Sequence, residues 1–222
     1  MRKTIVFDLD DTLYKEIDYV FSGFSIVADF ISKNIDEEKS SILTKLKSWY
    51  QKNQNPFENL ISQYGLEYSL SEILDVYRNH VPDIVVDEET LKTLDKIRRN
   101  NVSIGLITDG RSVQQRNKIK SLGLEKFIDR KIISEEFGSE KPAIANYTYF
   151  MDENDLKNTI YFYVGDNIEK DFISPNKLGW TTICLKDNGQ NIHKQNFKVE
   201  EEYLPKHIVT NILEIIPIIN EK

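Results

Sequence analysis

Val6-Phe7-Asp8-Leu9-Asp10-Asp11-Thr12 decides how this chain is read. The residues leading into it, 4–8, are short, β-branched and aromatic, which predicts a buried strand. Three carboxylates crowd the end of that strand with only Leu9 between the first two. Like charges this close repel, so the fold must supply compensation. Side chains two apart in a strand share a face, which allows Asp8 and Asp10 to enter one pocket. Paired carboxylates there divide into roles. One stays ionised as a nucleophile, and the other is pushed toward protonation by its neighbour's charge and becomes a general acid.

Outward from this stretch, the next segment has no strand signal. Ile17, Val20, Phe21, Phe24, Val27, Ala28 and Ile31 recur at three- and four-residue spacing, the pattern of one helix face. Ile42, Leu43, Leu46, Trp49 and Tyr50 repeat it. Pro56 opens a shorter helix that Gly65 ends, and Leu70, Ile73, Leu74 and Tyr77 mark another. Residues 15–84 are therefore expected as an all-helical insert, with 1–14 and 85–222 forming the rest of the molecule.

Beyond Pro82 strands and helices alternate: a helix over 88–99, a strand over 102–108, a helix over 112–121, a strand over 131–133 and a helix over 142–151. A strand over 160–164, a helix near 168–177 and a strand over 181–185 follow, with a last helix over 206–219 cut by Pro217. Alternation of this kind implies parallel strands with right-handed crossovers. The fold class is a doubly wound, Rossmann-like α/β core with an inserted helical domain. The polar stretch 186–198 reads as a surface loop.

Composition bounds the rest. The 222 residues are 40% hydrophobic and carry a formal charge of -7, which disfavours nucleic acid held by a general basic field. An anionic substrate would have to be captured locally, by a metal or a few placed cations. The single cysteine, Cys184, lies in an apolar run and reads as a buried thiol. No run approaches the roughly 20 apolar residues of a membrane helix. A soluble, cytoplasmic protein is expected, with no membrane partner, as a monomer or homodimer. The histidines show no zinc-ligand spacing.

In open parallel sheets, ligands bind beyond the carboxyl ends of the strands. The first strand ends in the acids, the second in Thr108-Asp109-Gly110, and the fourth in Gly165-Asp166-Asn167 with Asp171 close behind. Asp8, Asp10 and Asp166 make an oxygen-rich nest suited to Mg²⁺. Phosphoryl transfer needs donors for the equatorial oxygens. Thr108 offers a hydroxyl, Asp109 and Gly110 offer backbone N–H groups, and Lys141 offers a charge. Gly110 permits close approach at the turn.

These residues, in this order, resemble the haloacid dehalogenase superfamily, in the branch with a helical cap between the first and second motifs. Asp8-x-Asp10-x-Thr12 matches the first motif, Thr108 the second, Lys141-Pro142 the third, and Gly165-Asp166 with Asp171 the fourth. Thr108-Asp109-Gly110 with Gln115, and Leu122-Gly123-Leu124, add to the likeness, which spans about residues 4–185.

The resemblance implies a Mg²⁺-dependent phosphatase of a small phosphorylated metabolite, a sugar phosphate or a nucleotide. Asp8 would attack phosphorus. Asp10 would protonate the leaving alcohol and then activate water. Asp8, Asp166 and the Asp10 carbonyl would bind the metal, and Thr108 and Lys141 would hold the phosphoryl group. Asp171, Asn167 and Thr12 would stand behind these groups, and the cap would close over them. Arg111 could touch phosphate but also reads as an exposed helix start. Asp11 stands where many relatives have Gly, and Asp109 where many have Asn, which puts an extra negative charge near the phosphate. A phosphomutase is the alternative within the superfamily. A phospho-accepting receiver module is the alternative outside it, and would need its acceptor at the end of the third strand.

Overall fold

The computed structural model describes residues 1–151 and 158–221. Six strands form one parallel sheet: β1 (Arg2–Phe7), β2 (Ser103–Thr108), β3 (Arg130–Ile133), β4 (Thr159–Gly165), β5 (Thr181–Leu185) and β6 (His207–Val209). Their spatial order is β3-β2-β1-β4-β5-β6. The order reverses at β1, so the chain departs to opposite sides of the sheet there and leaves a crevice at the strand ends.

Alternation along β1 explains its unbroken apolar run. Ile5 and Phe7 enter one core with Leu106, Phe162 and Val164, against helices α5 (Glu88–Arg99), α6 (Ser112–Ser121) and α10 (Ile215–Asn220). Val6 enters the opposite core with Ile107, Tyr163, Phe172 and Trp180. A strand buried on both faces has no polar side to show. Cys184 lies in this second core as a free buried thiol.

Between β1 and β2 come α1 (Glu16–Ser32), α2 (Lys39–Gln51), α3 (Pro56–Tyr64) and α4 (Leu70–Asn79). They surround a separate apolar cluster built on Phe24, Val27, Ile31, Ile42, Leu46, Leu60 and Ile73. The ring of Phe24 meets Phe57 edge-on at 5.7 Å and Tyr50 at 5.8 Å. Phe21, Trp49 and Tyr50 pack around this cluster only partly buried. Pro56 opens α3 and Gly65 closes it at φ 57°, as the sequence predicts, and the Asn55 side chain caps its start.

Three segments differ from expectation. After the short α7 (Ser134–Phe137), the helix over 142–151 is confined to α8 (Ile144–Thr148), and the chain then tightens into i→i−3 turns through Phe150 and Met151. The helix near 168–177 is only α9 (Ile173–Lys177), because the preceding residues form a turn closed by the Asp171 carboxylate. The tail begins as strand β6 rather than helix, a three-residue edge strand too short to carry a periodic signal. Pro217 does not break α10: it is the third residue, where the missing N–H has no intrahelical acceptor.

Candidate active site

The strand ends enclose a polar cavity of about 170 Å³, lined by Asp8, Asp10, Asp11, Glu16, Thr108, Asp109, Gly110, Lys141, Asp166, Asn167, Lys170 and His193. Asp8 still hangs on the sheet ladder, its N–H donating to the Val164 carbonyl at 2.8 Å. Its side chain lines the cavity.

Lys141 reaches this point from the loop before α8 and is buried. Its Nζ lies 2.6 Å from Asp8 Oδ1 and 2.7 Å from Asp171 Oδ1. Burial disfavours the ammonium, but Asp171 and Asp8 reverse this and hold its pKa well above the usual value. The other Asp171 oxygen accepts the backbone N–H groups of Asp166 at 3.1 Å and Asn167 at 2.9 Å. Asp171 thus fixes both Lys141 and the turn after β4. Gly165 makes room for it: a Cβ there would stand 2.4 Å from Asp171 Oδ2.

Asp8, Asp166 and Asp171 each bring a carboxylate oxygen within 4.8 Å of the others. Burial first, and then the neighbouring Asp171 and Asp8, push Asp166 up to about 9. Burial pushes Asp8 up to about 7 despite Lys141. Carboxylates so reluctant to ionise lack positive charge, and a hard divalent cation with oxygen ligands fits the donor set. Both Asp171 oxygens are already engaged, so Asp8 and Asp166 have side-chain oxygens left for it. Asn191 donates to Asp166 Oδ2 at 2.8 Å from the loop after β5.

Asp10 behaves differently. Its Oδ1 accepts from Lys118 Nζ at 2.7 Å and from the Tyr14 hydroxyl at 2.5 Å, and its Oδ2 accepts from Gln115 at 3.1 Å. Burial raises its pKa, but the Lys118 ammonium and these hydrogen bonds outweigh burial and hold the carboxyl below its ordinary value. The two shifts therefore run in opposite directions, Asp8 upward through burial and Asp10 downward because the Lys118 ammonium and the hydrogen bonds outweigh burial. Burial dominates at Asp8, whose cation Lys141 lies equally close to Asp171, whereas Lys118 lies closer to Asp10 than to Glu16. Proton affinity follows nearby charges, and the sequence does not show which cation lies beside which acid.

Thr108 is 1% exposed, lines the cavity, and its Oγ1 has no hydrogen-bond partner among the described residues. Such a hydroxyl is costly to bury and would be satisfied by an entering oxyanion. The Asp109 carboxylate, a worry beside a phosphate, is engaged: Oδ1 accepts the Lys141 N–H at 3.0 Å and Oδ2 meets Lys170 Nζ at 2.8 Å. The Gly110 N–H, expected to serve phosphate, donates instead to Ser134 Oγ at 2.9 Å. Gly110 has φ 138°, and a Cβ on it would lie 2.7 Å from Gln115 Nε2. Asn167 lines the cavity. Arg111 is exposed at the start of α6 and Thr12 lines a neighbouring cleft, both outside the cavity wall.

Asp11 takes φ 55°, the left-handed region that explains why Gly suits this position. Its carboxylate accepts the Glu16 N–H at 3.0 Å, serving the first turn of α1, and the Ile192 N–H at 2.8 Å. The loop 186–198 is irregular, as expected, but it is not merely surface. Ile192 packs on the helical cluster and Asn191 bridges Lys15 to Asp166. Sequence reasoning missed Lys118, Lys170, Tyr14 and this loop. The available signal for Lys118 was its place on the α6 face that buries Gln115 and Ile119.

Among the described residues no helix is long and apolar enough to cross a membrane. The sequence profile of the haloacid dehalogenase-like hydrolases matches residues 5–185. The chain is 30% identical over 229 residues to a glyceraldehyde 3-phosphate phosphatase of Methanocaldococcus jannaschii, covering 99% of this chain and 97% of that one. It is 25% identical over 195 residues to a pyrimidine 5'-nucleotidase of Escherichia coli, covering 82% of this chain and 84% of the other. Among solved structures, the HAD-hydrolase YfnB of Bacillus subtilis bound to magnesium superposes with a TM-score of 0.66 at 17% identity, over 99% of both chains. Strand order, the convergence of acids at the strand ends and the length of these matches lead to one conclusion: the chain belongs to the haloacid dehalogenase-like hydrolases.

Proposed function

We propose that this chain is a Mg²⁺-dependent phosphatase that hydrolyses a small phosphorylated metabolite through an aspartyl-phosphate on Asp8. One observation carries the reading: the Asp8 carboxylate, the Lys141 ammonium and the unpartnered Thr108 hydroxyl line the same small cavity. In the first half-reaction, an Asp8 oxygen bonds to phosphorus as the bond to the ester oxygen breaks. Asp10 gives that oxygen its proton, so the alcohol leaves neutral. The negative charge of the phosphate beside Asp10 raises its affinity for the proton it must carry. In the second half, Asp10 takes a proton from water as the water oxygen attacks the phosphoryl group, and Asp8 is released as carboxylate. Thr108 and Lys141 hold the equatorial oxygens throughout. The side chains of Asp8 and Asp166 with the Asp10 carbonyl would hold Mg²⁺, which supplies positive charge for the incoming dianion.

Helices α1 to α4 serve as the cap, over residues 15–84, excluding water from the site. The cavity of about 170 Å³ suits a short sugar phosphate better than a nucleotide, and the triose-phosphate activity of the M. jannaschii relative agrees with that choice. The test is a panel of triose, pentose and hexose phosphates and nucleotides, assayed with Mg²⁺ and after chelation, for the wild type and Asp8→Asn. Metal-dependent release of phosphate from short sugar phosphates, lost in Asp8→Asn with folding retained, is expected. Turnover that survives either chelation or the substitution refutes the reading.

A further inference from the structure

Lys118 has no part in the reaction as described above, yet its side chain is 0% exposed. Removing an ammonium from water is costly unless its partners compensate, so a lysine on the buried face of α6 calls for explanation. Its Nζ lies 2.7 Å from Asp10 Oδ1, 3.5 Å from Glu16 Oε1 and 4.4 Å from the centre of the Tyr19 ring. Asp10 belongs to the loop after β1, while Glu16 and Tyr19 belong to α1. Lys118 therefore joins the catalytic loop to the first cap helix. Together with Tyr14 and Gln115 it leaves neither Asp10 oxygen free to swing. The same helix grips the second connection to the cap, where Asn117 Nδ2 donates to the His80 carbonyl at 3.0 Å.

We propose that Lys118 is a positioning residue that fixes the Asp10 carboxylate for proton transfer and couples its orientation to the cap through Glu16. This rests on the reading of Asp10 as acid and base. An acid displaced by about 1 Å loses on the order of 100-fold of its effect, and general acid catalysis itself supplies about 10²–10⁴-fold. The loss must appear where the leaving oxygen needs a proton, and not where it departs unaided.

The experiment compares kcat/KM for a sugar phosphate, whose alkoxide must be protonated, and for p-nitrophenyl phosphate, whose phenolate needs no proton, with Mg²⁺ saturating. For Lys118→Met the expected loss is about 30-fold or more on the alkyl ester and under about threefold on the aryl ester. Glu16→Gln shows the same selectivity at about threefold amplitude, while Asp10→Asn shows it most strongly. Thermal unfolding accompanies each assay. If Lys118→Met does not fold, Lys118→Met/Glu16→Gln, which removes one of the two stranded charges, and Lys118→Gln, which keeps a donor, are read by the same ratio. Equal losses on both esters, or none on either, overturn the role of Lys118. A flat Glu16→Gln overturns the coupling to the cap. An Asp10→Asn variant without leaving-group selectivity overturns the acid–base reading itself, which separates that failure from failure of the Lys118 proposal.

Discussion

Gly165→Ala is a one-carbon change in a strand with a large consequence for the site. The added Cβ would stand 2.4 Å from Asp171 Oδ2, 2.8 Å from its Cγ and 3.0 Å from Tyr163 Cε1. To reach an ordinary contact of 3.4 Å, the carboxylate must withdraw by about 1 Å. The oxygen that moves is the one accepting from Asp166 and Asn167, and its twin is the one paired with Lys141. Asp171, Asp166 and Lys141 are buried and Asn167 is half-buried, so most of these contacts are not replaced by water. Breaking a buried pair costs about 3–5 kcal/mol, and partial retention of the contacts puts the expected loss near 3 kcal/mol. For a chain of 222 residues that lowers Tm by about 6–12 °C. Lys141 loses its orienting partner and Asp166 its backbone anchor, so kcat/KM should fall about 100-fold. Thermal unfolding and steady-state kinetics on one preparation test both numbers. A variant that melts within about 1 °C of the wild type and turns over normally would falsify the account of Asp171 as the buttress of the site.

Further outcomes follow from the same geometry. Asp8 and Asp166 hold protons more tightly in the folded chain than the ordinary carboxylate value of 3.8, so without metal these two groups bind more protons folded than unfolded. Their contribution to stability therefore falls as pH rises between about 4 and about 9, and Mg²⁺, competing with those protons, is expected to raise Tm more at about pH 9 than at about pH 6. Scanning fluorimetry showing an equal or smaller Mg²⁺ shift at the higher pH would contradict this. Lys170 is 36% exposed and its pair with Asp109 is worth little to stability. Lys170→Met nonetheless leaves the Asp109 carboxylate facing the substrate dianion, so KM should rise about tenfold, with partial recovery in Lys170→Met/Asp109→Asn. An unchanged KM would show that Asp109 does not face the phosphate. Leu46 is fully buried in the helical cluster, and Leu46→Ala should cost about 2–5 kcal/mol by urea unfolding. A cost under about 1 kcal/mol would mean that this cluster is not packed as described.

The chain is more legible in some places than in others. The strands over 103–108, 159–165 and 181–185 show as apolar runs because they are buried on both faces, and α1 shows as a stripe because one side of it is buried. Asp8, Thr108, Lys141 and Asp166 were identifiable because each sits at or near a strand end or in an expected motif. Strand β6 was hidden: it pairs with β5 through three residues at the sheet edge, and so short a run has no period. The loop 186–198 reads as polar and irregular, and nothing in its composition says that Ile192 reaches the helical cluster while Asn191 holds Asp166.

The sequence by itself determined most of the elements, the parallel arrangement of the first five strands, and which oxygen-bearing residues stand at the strand ends. These follow from local periodicity and from the sterics of chain connection, which act over a few residues. Only the tertiary structure decided which cation faces which acid. Lys141 comes to Asp8 across 133 positions, and Lys118 to Asp10 across 108. Charge interactions depend on distance in space and on exclusion of water, not on separation along the chain. The two carboxylates of one short motif, alike as written, are therefore shifted in opposite directions from the ordinary pKa once folded.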